Sequence, residues 1–122
     1  MWTYQQSTGN LANPSGVVIG QGYSGNGADF DNPAAEMVIG HGPIPQGAWI
    51  IGKFETYPHL GEVVAPLLPC AGNTMDGREG GFFIHGDNPL MDHTASDGCI
   101  VLPRPLRETI AASQDTTLQV VG

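Results

Sequence analysis

A chain of 122 residues with 40 % hydrophobic content has the size and apolar fraction of one folded domain, which excludes a disordered polymer. Twelve acidic residues face four basic ones (Lys53, Arg78, Arg104 and Arg107), so the net charge is −8. No basic patch is possible, which argues against nucleic acid and anionic membrane surfaces as partners.

The N-terminal "MWTYQQSTGNLANPSG" lacks the basic and apolar regions of a signal peptide. No apolar run approaches the ~20 residues that span a membrane. The chain is therefore expected to be made in the cytoplasm as a soluble protein. Residues 1–9 alternate weakly and predict an edge strand. Short apolar runs bounded by Gly, Pro or Asn then recur and predict strands at 16–20, 36–40, 47–54, 81–86, 98–103 and 117–122. Turn signals lie at 22–27, 31–33 and 41–47. Residues 32–37 predict one helical turn, with Asn32 capping and Pro33 in first position. The best helix is 104–114, where Pro105 suits the first turn and Leu106, Thr109, Ile110 and Ser113 fall at helical spacing. With 18 glycines and 10 prolines spread throughout, the whole predicts a compact, mostly β single domain over 1–122 with one or two short helices.

The stretch "FFIHGDNPLMDHTASDGCIVLP" (82–103) gathers His85, His93 and Cys99. As a strand, "GFFIHG" puts Phe82 and Ile84 on one face and Phe83 and His85 on the other. Cys99 opens the next strand after a Gly-containing turn, so a hairpin-like unit would set His85 beside Cys99. A free thiol has a pKa near ~8.5 and is a weak nucleophile at neutral pH. A neighbouring histidine takes its proton and later returns one to the leaving group. The Cys99 N–H, with Gly98 clearing space before it, is a candidate oxyanion donor. The Gly86 carbonyl or the Asp87 side chain would orient His85. Ser96 lies in the same turn. Arg78 and Arg104 flank the stretch, either as carboxylate binders or as structural salt bridges. His93 is a mid-loop imidazole beside Asp92, and Cys70 has no histidine or charge close in sequence and is expected to be structural.

The run "HGDNPLMDHTASDGCIVL" resembles the active-site segment of the L,D-transpeptidase (YkuD-like) catalytic domain, and "GHGPIPQGAWIIG" (40–52) resembles a strand-turn element of that family. "GYSGNG", "GPIPQG", "NTMDGREGGFFIHGDNP" and "SDGCIVLP" look more closely like the landmarks of its small type VI secretion effector branch. The resemblance extends over nearly the whole chain. It implies a β-sandwich or barrel, with Cys99 as nucleophile and His85 as base. By that resemblance Ser96, Gly98 and Arg104 would shape the site. From the residues themselves, Gly86 joins the catalytic candidates, and Arg78, Arg104, Asp87 and His93 are the candidates for substrate contact. The implied substrate is a peptidoglycan tetrapeptide stem, processed by L,D-carboxypeptidase or D-amino-acid exchange chemistry through a Cys99 acyl-enzyme, without metal or cofactor. The implied setting is an antibacterial toxin acting in the periplasm of a target bacterium, with an immunity protein and a secretion carrier as partners. One departure is Asp97, where the family carries histidine; a carboxylate facing the thiol would raise its pKa.

Two other classes fit the same residues. A zinc-dependent cell-wall peptidase or amidase would use His85, Asp87 and His93, with Cys99 also of ligand type. A non-enzymatic wall-binding module, or a structural module locked by a Cys70–Cys99 disulfide, would need no catalyst.

Overall fold

The computed structural model describes residues 1–78, 80–88 and 95–122. Its strands in chain order are β1 (Trp2–Gln5), β2 (Asn10–Ala12), β3 (Val18–Gln21), β4 (Tyr23–Ser24), β5 (Gly47–Ile51), β6 (Glu55–Tyr57), β7 (Gly61–Pro69), β8 (Phe82–His85), β9 (Ile100–Val101) and β10 (Thr117–Val121). One α-helix, α1, covers Arg104–Ala112, and two 3₁₀ turns cover Gly27–Asp29 and Pro33–Ala35. The fold is mostly β, as composition predicts.

The strands form a single path, β3-β2-β1-β10-β5-β7-β8-β9-β4, with β6 hydrogen-bonded to β7. β3 and β4 sit at opposite ends of this path, yet Gly22 alone separates them in sequence. The two ends of the sheet must therefore meet, and the sheet curls into a nearly closed barrel. Gly22 is the seam. Its N–H donates to the Gly9 carbonyl, and a Cβ there would lie 1.9 Å from the Val101 carbonyl oxygen, so no larger residue fits. Inside the barrel Trp2, Tyr4, Leu11, Ile44, Trp49, Phe82, Ile84, Ile100 and Leu118 form one core, and Ile110 and Leu106 of α1 pack against it.

Several expectations shift. β7 is the longest strand and carries no prediction, because Pro66 and Pro69 argue against a strand interior. Val64, Ala65 and Leu67 are nonetheless buried, and the Pro66 carbonyl accepts from Gly52 N–H. Residues 36–40 are not a strand. They turn back through Val38 N–H to Ala35 O and Gly42 N–H to Val38 O, leaving Met37 and Ile39 71 % and 67 % exposed. The predicted turn at 22–27 contains β4. The turn at 32–37 closes as a 3₁₀ turn with Asn32 Oδ1 accepting from Ala34 N–H. In α1, Ile110 faces the core as expected, but Thr109 points outward and its buried companion is Arg107.

Candidate active site

β8 and β9 are parallel neighbours, not a hairpin-like unit, with Ile84 opposite Ile100 and His85 opposite Val101. Ile84, Phe82 and Ile100 enter the core. Alternation then sends Phe83, His85, Cys99 and Val101 to the other face. Phe83 confirms the placement: its N–H donates to Cys99 Sγ at 3.3 Å, and its ring packs edge-on against Tyr57. Cys99 thus lies opposite Phe83, two residues along from His85 and on the same face, an arrangement set by parallel register instead of a turn.

Each partner is held by backbone. The His85 ring is buried and its Nδ1 lies 2.7 Å from the Gly86 carbonyl. A carbonyl only accepts, so Nδ1 carries the hydrogen and Nε2 keeps its lone pair. Burial lowers the His85 pKa, and the nearby Arg107 charge lowers it too, while the Gly86 bond and Asp87 oppose them. Burial likewise raises the Cys99 thiol, and Asp97 adds to this; the Phe83 N–H and Arg78 oppose. Both shifts favour the neutral forms of the two side chains.

Ser96 is fully buried and organises the turn before Cys99. Its Oγ donates to the Cys99 carbonyl and accepts from Gly98 N–H at 3.1 Å and Gly25 N–H at 3.0 Å. Ser24, which carries no expectation from sequence, continues this network by donating to Gly98 O at 2.9 Å and accepting from Ile44 N–H at 2.8 Å. Gly98 has φ +129°, and a Cβ there would lie 2.2 Å from Arg78 Nη2 and 2.6 Å from the Phe82 ring. Only glycine allows this approach.

The expected carboxylate binders are placed differently from one another. The Arg78 guanidinium is buried against the Phe82 ring and donates to four carbonyls, those of Glu36, Gly42, Pro43 and Asp97. It clamps the 36–43 segment to the Cys99 turn, forms no salt bridge among the described residues, and also lines the depression onto which Cys99 opens. Arg104 is exposed and pairs with Glu62 and Glu108. Asp97 is exposed and accepts from Asn26 Nδ2 at 3.3 Å. Asp87 Oδ1 accepts from Tyr23 OH at 2.8 Å and Asn88 N–H at 2.9 Å. His93 lies outside the described residues.

Cys99 opens onto a depression of about 400 Å³ whose other walls include Gly80, Gly81, Phe82 and the exposed Ile39. A second cleft of about 450 Å³ lies at the Val101 end of the same strand pair. Among the described residues no three His, Cys, Asp or Glu side chains gather as a metal-binding set. Both cysteines are free thiols, so a module locked by Cys70–Cys99 is not this structure. The Cys70 N–H donates to Ala48 O at the end of β7. No helix among the described residues is long and apolar enough to cross a membrane.

A family model described as the Tlde1 domain matches residues 19–121. The match includes every candidate site residue and omits only residues 1–18 and the final glycine. No curated protein matches the chain.

Proposed function

For this chain, which belongs to the Tlde1-domain family of type VI secretion effectors, we propose a cysteine-dependent acyl transfer on peptidoglycan tetrapeptide stems. Effectors of this family are secreted into target cells, in keeping with an antibacterial toxin, and an immunity protein is the partner that membership implies. The periplasm is the compartment where such a substrate would be met.

One observation carries the reading. Cys99 and His85 share a face across β8 and β9, and the Gly86 carbonyl holds the imidazole in the tautomer a general base requires. His85 Nε2 takes the Sγ proton as Sγ attacks the carbonyl between diaminopimelate and the terminal D-alanine. The oxyanion forms at the Cys99 N–H, which the Ser96–Gly98 network holds in place. His85 then gives its proton to the departing D-alanine amine. Water resolves the thioester as a carboxypeptidase, and a free D-amino acid resolves it as an exchange enzyme. Arg78, Ser96 and Gly98 position the thiol, and none of them touches the reacting atoms. The domain 1–122 is read as one catalytic unit.

The test is mass spectrometry of purified tetrapeptide incubated with wild type and Cys99→Ala, with and without D-methionine. Loss of D-alanine, or its replacement by D-methionine, is expected with wild type alone. Equal turnover by both proteins would remove Cys99 from the chemistry. Turnover by wild type that stops with a chelator and resists a thiol alkylator would favour the zinc class.

A further inference from the structure

The cleft at the Val101 end of β9 is separate from the depression that Cys99 lines, and His85 belongs to the cleft's end of the strand pair, because its register partner is Val101. Its walls include Tyr23, Asp31, Asp87, Arg104 and Arg107. Two of the four cations in this acidic chain therefore border one cleft.

Arg107 is the residue with capacity to spare. Its Nε donates to Leu102 O at 3.0 Å, and its Nη1 donates to Glu62 O at 2.8 Å and Val63 O at 3.1 Å. Nη2 makes none of these bonds and stands 2.8 Å from where a Cβ on Gly86 would lie. It is therefore beside the same Gly86 whose carbonyl orients His85. No ion pair engages Arg107 among the described residues, whereas Arg104 is already matched by Glu62 and Glu108. In the same cleft the Asp87 carboxylate is held by Tyr23 OH and Asn88 N–H. A fixed guanidinium and a fixed carboxylate, in a cleft of about 450 Å³, are complementary to a small zwitterion.

We propose that this cleft is the amino-acid subsite of the enzyme, with Arg107 Nη2 binding the α-carboxylate of the terminal residue and Asp87 facing its α-nitrogen. The inference rests on the acyl-transfer reading above. In the forward direction the site holds the departing D-alanine, whose amine receives the proton from His85. In exchange it holds the incoming free amino acid. That amino acid enters as a zwitterion and releases one proton to water. Its nitrogen attacks the Cys99 thioester, the C–S bond breaks, a C–N bond forms, and His85 relays the remaining proton to Sγ. A guanidinium bound to the carboxylate makes the site discriminate against amines that lack one.

Two experiments separate this subsite from the reading beneath it. First, D-alanine and D-alaninol, which has no carboxylate, are titrated into Cys99→Ala and followed by NMR shifts. D-alanine is expected to bind at least ~10-fold more tightly, the loss of one charged hydrogen bond. Second, wild type is given the tetrapeptide and its C-terminal amide, and kcat/KM is expected to fall ~10- to 100-fold for the amide. Arg107 also holds backbone, so Arg107→Lys is checked by circular dichroism. Asp87→Asn, on an exposed side chain, is the second variant, and it should weaken D-alanine binding with the fold intact. Equal turnover of acid and amide would overturn the subsite while leaving Cys99 chemistry standing. Carboxylate-dependent D-alanine binding without any turnover would support the subsite and overturn the reaction. No preference for D-alanine over D-alaninol would overturn the subsite.

Discussion

The two ends of the β8–β9 pair hold charge differently. At the thiol end, Arg78 and Asp97 line the depression with Cys99, and each is tied to fixed partners, Arg78 to four carbonyls and Asp97 to Asn26 Nδ2. At the cleft end, Arg104, Arg107, Asp31 and Asp87 stay on the walls. On the proposed chemistry, a thiol that is neutral at rest is served by charges tied to fixed partners, which cannot turn to the sulfur and commit it to one protonation state. A recognition surface has the reverse need. The difference teaches that in this chain the arginine before the cysteine ties backbone together around the thiol, while after it Arg104 pairs with Glu62 and Glu108 and Arg107 keeps Nη2 outside its three backbone bonds.

The sharpest way to break that contrast is Arg78→Met. Four carbonyls lose a charged donor, two of those bonds fully buried, so stability should fall by ~3 kcal/mol or more in urea melts, with activity lost alongside. An intact, inactive Arg78→Met would instead assign Arg78 to substrate.

His85→Gln comes next. It should lower kcat ~10²- to 10⁴-fold with the melting temperature nearly unchanged. The pH profile sharpens the same point. Burial depresses the His85 pKa, so its neutral, base form persists below the usual imidazole range of ~6.5. The acid limb of kcat/KM is therefore expected below that value. A limb above it would mean that the resting state is a thiolate–imidazolium pair.

Ser96→Ala is a smaller perturbation. It strips the acceptor from Gly25 N–H and Gly98 N–H and should cost ~1–3 kcal/mol, with a fall in kcat that Ser96→Ala/Arg107→Lys double variants show to be independent of the cleft.

The smallest effect concerns Asp76, which lies behind the thiol end. A hydrogen bond with Glu36 raises its pKa to about 6, with burial and the Glu36 charge adding and Arg78 opposing. A raised carboxyl pKa stabilises the fold while the proton is bound. That contribution is complete below the unfolded value of 3.8 and lost as pH rises through about 6. Asp76→Asn keeps a donor toward Glu36 at every pH and tolerates the left-handed φ of +54°. Its melting temperature should be higher than wild type above pH 6 and flatter between pH 4 and 7. Parallel curves for the two proteins would remove the shared proton.

Part of the local geometry around Cys99 was legible in the sequence. Period-two alternation in "GFFIHG" placed His85 with Phe83 on the face opposite Phe82 and Ile84, because successive strand residues point to opposite faces. The Gly98–Cys99 step and the Asn32 cap depend on neighbours within a few residues, and they too were readable. The strand expected at 36–40 failed because three apolar residues in a row carry no information about whether a core exists to receive them. β7 was missed for the opposite reason: prolines counted against it, while flanking strands supplied the burial that outweighed them.

Local chemistry was thus decided within the chain's own short segments: the residue types of a thiol–imidazole pair, the glycine that must precede the thiol, the helix start at Pro105, and the scarcity of cations. Partnership was decided by the closed sheet. Parallel pairing of β8 with β9 selected which residues lie beside Cys99, and curling of the sheet through Gly22 brought Ser24 under the Gly98 carbonyl. The fold also assigned Arg78 to backbone and left one Arg107 nitrogen over Gly86. The physical reason is range. Propensity, capping and alternation act over a few residues, whereas strand register and a buried guanidinium's choice of acceptor depend on groups tens of residues away in sequence, which only folding brings within hydrogen-bond distance.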